Sequence, residues 1–283
     1  MENDGYQERV TKDLSEFQIS FLNQKKDISI NLANENNLNN NFNLNLPNVL
    51  IMGNSHGFDL YTSLSTNKDF NKKYNFNFLH AQIKCMEESI KKKKKVCVRV
   101  LQFNQKKKFK QNLDKYFKSD IILIKTRWFD EDVKSLDNLL KFLKQDNKKI
   151  IIFSSTPEFN FKKKSIVDLK SNNILKKILY KNSDYIDRFI ISEDRLPNGK
   201  ELKILNNNYF LSLKKDILKR DEKIKQVSLK NNVKYFDFKE FICNFSDKSC
   251  SDLTKTKRKF FIDKSGHLSA SAAREISNKI FDK

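Results

Sequence analysis

The sequence predicts an α/β protein of three layers, in which helices cover both faces of a doubly wound parallel sheet. Short, continuously apolar runs alternate along the chain with longer segments in which apolar residues recur at helical spacing. Continuous apolar runs are typical of strands that are buried on both faces, as in parallel sheets between helices. A chain of 283 residues is long enough to bury one core of this kind.

Five runs are predicted to be strands. The first follows Pro47 and ends at Gly53, and the second is assigned from the alternation of its aromatic residues. The others are assigned from short apolar runs. In chain order the predicted strands are Val49–Met52, Phe76–His80, Ile121–Ile124, Lys149–Phe153 and Val233–Phe236.

Amphipathic periodicity predicts helices between these strands. One helix begins near Asp59, and another buries the apolar positions of Val133–Leu143. A long Lys-rich helix is predicted over Glu201–Lys230, with a candidate interruption at Asn206–Asn208. Apolar positions within Ala272–Ile280 line a C-terminal helix.

The chain is predicted to divide into two regions. Residues 1–46 form a lead-in, with a helix over Asp13–Asn23 followed by an Asn-dominated stretch without a clear period. Residues 47–283 form the α/β domain. We therefore expect any activity to reside in the second region.

The chain is strongly basic, with 56 Lys and Arg against 35 Asp and Glu and a net charge of +21. This charge allows nucleic acid, anionic glycans and anionic membrane surfaces as partners. The basic residues are nearly all Lys, and their sharpest runs, Lys91–Lys95 and Lys106–Lys108, are predicted to be solvated. Since no nucleic-acid-binding motif accompanies them, nucleic acid is the least favoured partner.

No stretch approaches the roughly 18 consecutive apolar residues that mark a membrane-spanning helix. The N-terminus is acidic and polar and has no hydrophobic signal region. We therefore expect neither a membrane span nor a signal peptide in this chain.

The four cysteines form two sequence-local pairs, Cys85 with Cys97 and Cys243 with Cys250. Two short-loop disulfides are the favoured interpretation, and they imply an oxidising compartment. Zinc binding is an alternative, but the spacings match no common zinc pattern and histidine is scarce nearby. Unpaired buried thiols are the third interpretation.

A serine follows the first predicted strand, at the sheet edge where open parallel sheets place their working groups. Ser55 lies in the sequence Gly53-Asn54-Ser55-His56-Gly57, a tight turn between the strand and a helix. The helix N-terminus supplies N–H groups and a positive dipole end that suit an oxyanion. Ser55 is therefore the candidate nucleophile, and simple helix capping is the alternative.

A nucleophilic serine needs a base, and the base needs a group that orients it. His267 lies in a polar loop before the last helix, and Asp263 precedes it by four positions. These residues are the candidates for the two roles, although a lone histidine in a loop is more often simply solvated. Of the other histidines, His56 is predicted to support the turn, and His80 ends a strand without an assigned role.

These motifs resemble those of the SGNH/GDSL hydrolases. The turn at residues 53–56 is similar to the first sequence block of that family, and Asp263–Ser269 resembles its last block. More narrowly, the chain resembles the soluble SGNH domain fused to membrane acyltransferases of the acyltransferase-3 type, which O-acetylate cell-surface polysaccharides. In that subgroup a cysteine follows the second strand, as Cys85 does, and an Arg-Trp pair ends the third, as Arg127-Trp128 does. A cysteine pair also precedes the Asp/His segment.

The chain departs from this family at three points. Asn54 stands in place of the usual Asp beside the serine, and three residues instead of two separate the Asp from the His. The family's third-block Asn, which donates to the oxyanion, has no match near Arg127. The oxyanion would then be bound by the Ser55 N–H and Arg127, with Asn54 and Trp128 as further oxyanion or substrate-binding candidates. Core packing for Trp128 and a structural ion pair for Arg127 are the alternatives.

The resemblance implies a serine esterase or O-acyltransferase with an SGNH (flavodoxin-like) fold and residues 47–283 as its catalytic domain. It would act on acyl groups of cell-surface glycans, acetyl above all, through an acyl-serine intermediate and without a metal or organic cofactor. Its partners would be an acylated glycan or small ester and a separately encoded membrane acyltransferase, in the periplasm or facing the cell envelope. The alternative function is a non-catalytic basic module on the same fold that binds an anionic glycan or nucleic acid.

Overall fold

The chain forms two compact units, each assembled from three segments. The sheet unit comprises Ser29–Thr156, Lys215–Phe241 and Ala273–Lys283. The helical unit comprises Met1–Ile28, Pro157–Lys214 and Ile242–Ala272. The computed structural model describes residues 14–27, 45–80, 82–92, 114–161, 169 and 174–281.

The centre of the sheet unit is a parallel sheet. Its strands are β1 Asn48–Gly53, β2 Asn75–His80, β3 Ile121–Ile124, β4 Lys149–Phe153 and β5 Lys234–Phe236. Among the described residues the order is β2-β1-β3-β4-β5, and each neighbouring pair is parallel. The predicted fold class is confirmed. The strand order reverses between β1 and β3, and ligands bind at the carboxyl edge beside such a reversal.

Helices connect these strands and build most of the helical unit. The described helices are α1 Glu16–Asn23, α2 Ser55–Ser65, α3 Lys68–Asn71, α4 Met86–Lys91, α5 Asp130–Gln145, α6 Ile174–Asn182, α7 Tyr185–Glu193, α8 Gly199–Leu211, α9 Lys215–Lys230 and α10 Ala270–Phe281. A two-stranded antiparallel hairpin of β6 Cys243–Asn244 and β7 Ser249–Cys250 lies in the helical unit. None of the helices in the described ranges is long and apolar enough to span a bilayer.

α5 illustrates how the apolar pattern builds the core of the sheet unit. The apolar positions that predicted this helix are all buried, namely Val133, Leu136, Leu139, Leu140 and Leu143. They join one cluster with the buried side chains of β1, β3 and β4. Three acidic residues in the first turn, at positions 130–132, favour the positive end of the helix dipole.

α1 is fixed to α7 within the helical unit. Ser15 caps α1 and forms a capping box with Gln18. The buried Gln18 amide also donates hydrogen bonds to the carbonyl oxygens of Ile190 and Ile191, at 3.0 and 2.9 Å. The N-terminal helix is therefore an integral part of this unit.

Two predicted helix boundaries are wrong. The predicted helix over Glu201–Lys230 is two helices, and the break falls between Leu211 and Lys215 instead of at Asn206–Asn208. The asparagines remain helical because burial of the neighbouring Tyr209 outweighs their low helix propensity. The helix predicted near Asp59 begins earlier, at the capped turn. The run Lys106–Lys108 lies outside the described residues. The Asn-dominated stretch also lies outside them, except for its last residue.

Candidate active site

The turn after β1 is shaped by the carbonyl group of Lys125, which follows β3. A Cβ atom on Gly53 would lie 1.7 Å from this carbonyl oxygen, and one on Gly57 would lie 2.5 Å from it. Real Cβ contacts do not reach such distances, and the obstacle is backbone. The two glycines that bound the serine turn are therefore required by the close approach of β3.

Asn54 caps α2 and ties the turn to the end of β3. Its side-chain oxygen accepts hydrogen bonds from the N–H of His56 at 3.1 Å and from the N–H of Arg127 at 3.0 Å. Its backbone is extended, as expected of a helix N-cap. An Asn retains the oxygen acceptor that the family's usual Asp would provide, so this departure from the family pattern preserves the turn.

Ser55 is the first residue of α2, and it is exposed. The first N–H groups of a helix have no intrahelical acceptor, and the helix dipole makes this end electropositive. Ser55 thus combines an accessible hydroxyl with backbone N–H groups that can stabilise a negative charge. This geometry is suitable for a nucleophile.

Lys125 is a buried cation close to the serine turn, and sequence analysis gave it no role. Its ammonium group donates to the Ser154 carbonyl at 2.5 Å and lies 4.0 Å from the centre of the Phe238 ring. Burial lowers the pKa of Lys125 to about 7, although Asp221 acts in the opposite direction. The side chain joins the ends of β3 and β4 beneath the turn.

The histidines of the sheet unit differ in exposure. His56 is buried, and its Nδ1 atom lies 3.2 Å from the Thr156 hydroxyl, which suits the supporting role predicted for it. His80 is exposed, and its Cα pairs in register with Gly53. His80 therefore lies at the same sheet edge as Ser55, a position that its sequence environment alone does not reveal.

Arg127 and Trp128 follow β3 with different exposures. Arg127 is half-buried, and its guanidinium lies 5.9 Å from the centre of the exposed Phe129 ring. Trp128 is buried, and its indole N–H donates to the Phe153 carbonyl at 3.0 Å. This arrangement favours the packing alternative for Trp128, whereas Arg127 remains near the serine turn through its bond to Asn54.

Asp263 and His267 lie in a hairpin of the helical unit, residues 259–269, which we call the His267 hairpin. Phe261 and Leu268 pair in it as an antiparallel bridge. One Asp263 oxygen accepts from the backbone N–H and hydroxyl of Ser265, both at 2.9 Å, and from the backbone N–H of His267 at 3.2 Å. Asp263 is exposed and His267 is half-buried. The carboxylate therefore shapes the loop that presents the histidine.

The predicted site residues thus fall into two groups. Asn54, Ser55 and Arg127 come together at one edge of the sheet unit, and Asp263 comes together with His267 in the helical unit. The pairing of Ser55 with His267 joins different units and stays a prediction.

The cysteine predictions have separate outcomes. Cys243 and Cys250 form the predicted disulfide, which joins β6 to β7. Cys85 is also disulfide-bonded, and its predicted partner Cys97 lies outside the described residues.

Comparison with known proteins identifies related families and structures. Residues 31–281 match the SGNH domain that is fused to AT3 domains. The chain is similar to the periplasmic domain of the lipopolysaccharide acetyltransferase of Salmonella ser. Paratyphi A, with 14% identity, a TM-score of 0.55 and coverage of 95% of this chain and 97% of that one. It also matches a GDSL-like lipase of Bacteroides thetaiotaomicron, with 12% identity, a TM-score of 0.43 and coverage of 93% and 97%. A search of curated proteins gave no match.

A parallel sheet with a glycine-bounded serine at its carboxyl edge is the arrangement expected of an SGNH-type α/β domain. Since the family match covers most of the chain, the protein belongs to the family of SGNH domains fused to AT3 domains. It is an enzyme domain of the esterase and acyltransferase class.

Proposed function

We propose that the chain hydrolyses or transfers acetyl groups of cell-surface glycans through an acyl-serine intermediate, with Ser55 as the nucleophile. The observation that carries the proposal is the exposure of Ser55 at the first position of α2. Gly53 and Gly57 permit this turn, and Asn54 caps it. Membership of an esterase and acyltransferase family supports the acyl chemistry.

In the first half of the proposed reaction, the Ser55 hydroxyl oxygen attacks the carbonyl carbon of the ester. His267 accepts the hydroxyl proton, and the carbonyl π electrons move onto the oxygen of the tetrahedral intermediate. Collapse of this intermediate breaks the ester C–O bond, and His267 returns the proton to the departing alcohol. Asp263 is proposed to orient the His267 ring in both proton transfers.

In the second half, water or a sugar hydroxyl attacks the acyl-Ser55 carbonyl and gives its proton to His267. The bond between the Ser55 oxygen and the acyl carbon then breaks, and the serine oxygen takes back a proton from His267. Water as the acceptor yields a free carboxylic acid, and a sugar hydroxyl yields an O-acylated glycan. The same groups therefore serve hydrolysis and transfer.

The proposed oxyanion donors are the Ser55 N–H and the Arg127 guanidinium. The backbone N–H of Arg127 is bound to Asn54, which holds this residue beside the serine turn, and the proposed donor is its side chain. Because the Asn54 oxygen accepts two N–H groups, we assign Asn54 to holding the turn. Trp128 is assigned to supporting the segment that carries Arg127.

We further propose that the domain works in the periplasm or at the cell envelope, together with a membrane acyltransferase. The family is described by its fusion to AT3 domains, and the Salmonella relative is a periplasmic domain. The Cys243–Cys250 disulfide is consistent with an oxidising compartment. The proposed substrates are acylated glycans or small esters, with no cofactor.

The test is hydrolysis of an activated acetyl ester by the purified chain. Ser55→Ala is expected to lower kcat by about 10³-fold or more, and the wild-type Ser55 peptide should carry one acetyl group after rapid quenching. Ser135→Ala is the control, because Ser135 lies in α5 of the sheet unit, away from the serine turn, and its hydroxyl donates to the Glu131 carbonyl within that helix. Full activity in Ser55→Ala would exclude Ser55 as the nucleophile.

A further inference from the structure

A cluster of buried charges lies in the helical unit. Lys259 is fully buried, and its ammonium group lies 2.6 Å from Asp184, 2.5 Å from Asp252 and 3.2 Å from Asp187. Lys25, which follows α1, forms an ion pair with Asp187. We call these five residues the Lys259 cluster. Its three carboxylates and two ammonium groups carry one net negative charge when all are ionised.

The hydroxyl group of Tyr209 completes this arrangement. It lies 3.0 Å from Asp184 Oδ1 and 3.0 Å from Asp252 Oδ2, and it accepts the Ile186 N–H at 3.2 Å. Burial raises the pKa of Tyr209 well above its ordinary value, so the hydroxyl keeps its proton. A single hydroxyl proton cannot serve two carboxylates fully at once. One of the carboxyl groups must therefore carry a proton for both contacts to be hydrogen bonds.

Asp252 is the carboxyl group best placed to hold that proton. Burial raises the pKa of Asp252 to about 7, although Lys259 acts in the opposite direction. For Asp184, burial is outweighed by Lys259 and Lys25, which hold its pKa below its ordinary value. Burial also opposes the charge of Lys259, but the three aspartates raise its pKa well above its ordinary value. Burial and the neighbouring Asp184 also raise the pKa of Asp187. The buried carboxyl groups of the cluster thus favour a shared proton, and Asp252 is the member whose pKa lies near neutral pH.

The cluster also fixes the backbone of the His267 hairpin. Asp252 Oδ1 accepts the N–H of Phe261 at 3.1 Å. The Lys259 N–H donates to the Gln24 side chain at 2.8 Å, and the Lys259 carbonyl accepts the Ser269 hydroxyl at 2.6 Å. Both ends of the hairpin are therefore held by these residues.

Residues of the charged cluster and of the loop around Asp263 line one small cavity. Its volume is about 40 Å³, and Lys25, Asp184 and Asp252 line it together with Asp263 and Gly266. The charged cluster and the loop around Asp263 thus line the same pocket. A change of charge at Asp252 is therefore a change of charge at a wall of the pocket that this loop also lines.

We propose that the Lys259 cluster, with Tyr209, is a positioning device for His267. It holds the hairpin in the geometry that proton transfer needs, and loss of its shared proton alters that geometry. The proposal rests on the role of His267 as the base in the proposed function. Lys25 and Gln24 precede residue 31, where the family match begins, so the N-terminal segment takes part in this positioning.

The test compares two buried tyrosines that each contact an aspartate. Tyr209→Phe removes the hydroxyl from the cluster, and Tyr116→Phe removes a hydroxyl that contacts Asp146 in the sheet unit. Both side chains are fully buried, so the two substitutions are matched in burial and chemistry. Tyr209→Phe is expected to lower kcat about 10- to 100-fold with KM within about twofold, because misplaced catalytic groups slow the chemical step. Tyr116→Phe should keep kcat within about twofold of wild type.

A second readout does not need activity. The chain has three histidines, so the ring Cε1–H signal of His267 can be assigned in NMR spectra by its loss in His267→Gln. In wild type this signal should show, besides its own titration, an inflection near pH 7 from the cluster. Asp252→Asn should remove that inflection, and Tyr209→Phe should shift it, whereas Tyr116→Phe should leave it unchanged.

The outcomes separate the two proposals. If Ser55→Ala keeps activity while the His267 signal responds to Tyr209→Phe, the proposed function fails and the coupling stands. If neither kcat nor the His267 signal responds in folded Tyr209→Phe, the cluster only stabilises the fold and the positioning proposal is wrong. If Tyr209→Phe does not fold, Lys25→Met takes its place, because Lys25 lies at the partly exposed edge of the cluster. The same two readouts, kcat and the His267 ring signal, then decide the proposal.

Discussion

The carbonyl oxygen of Lys125 lies 1.7 Å from the position that a Cβ atom on Gly53 would occupy. The contact joins the end of β1, two residues before the proposed nucleophile, to the residue that follows β3. Any side chain at position 53 would force β1 and β3 apart at the edge that carries Ser55. The requirement for glycine therefore comes from the close spacing of β1 and β3 at the turn that carries Ser55.

Gly53→Ala is accordingly expected to destabilise the chain by at least about 2 kcal/mol, since the obstacle is backbone that cannot rotate away. Urea unfolding measures this change. Gly199→Ala is the matched control, because a Cβ at Gly199 meets nothing within 4 Å and lies in the first turn of α8. That variant should be neutral or slightly more stable. Equal stabilities for the two variants would contradict this explanation of the turn.

The proposed base can be tested against a second histidine. His267→Gln is expected to reduce kcat for an activated acetyl ester by about 10³-fold or more, because the serine then lacks its proton acceptor. His80→Gln should keep most of the activity, although His80 lies in register with Gly53 at the serine edge. The reverse result would assign the base to His80 and remove His267 from the mechanism.

Asp263→Asn separates the two roles of that carboxylate. The substitution keeps an oxygen that can accept the N–H groups of Ser265 and His267, so the loop should persist. It removes the negative charge, and for a carboxylate that orients a catalytic histidine the expected loss in kcat is about 10⁴-fold. A loss below about tenfold would limit Asp263 to shaping the loop. Steady-state kinetics with thermal melts of the same samples decide between these results.

Burial of Lys125 makes stability depend on pH. Its pKa falls from 10.5 to about 7 on folding. Between these values the unfolded chain binds a proton that the folded chain lacks, so this group makes stability rise as the pH rises. The stability gained by Lys125→Met relative to wild type should therefore be largest near pH 7 and below. This gain should shrink as the pH rises toward 10. Urea unfolding across this range checks the trend, and the exposed Lys149→Met should show none.

The sequence predicts the sheet well because its determinants are local. Each strand is a short apolar run, and the turn around Ser55 contains its own glycines and its own cap. The contact between the Asp263 carboxylate and the backbone N–H of His267 is equally local, since four positions separate them, whereas the orienting role of Asp263 toward the His267 ring stays a prediction. Patterns within a few residues are sufficient for these assignments.

Other features depend on contacts between distant segments. The Lys259 cluster combines Lys25, Asp184, Asp187 and Asp252 with Lys259, and no periodicity links these positions. The place of His80 beside the serine turn follows from the register of β2 on β1. The helix through Asn206–Asn208 likewise persists because of burial that local propensity does not include.

α1 is synthesised well before the segments of the helical unit that it contacts. During synthesis, α1 leaves the ribosome long before the carbonyl groups of Ile190 and Ile191 that accept from Gln18. The Lys259 N–H that binds Gln24 is made later still. Contacts of such sequence separation form slowly, because the chain between them must first be closed into a loop. The helical unit can therefore close only after the His267 hairpin has been synthesised.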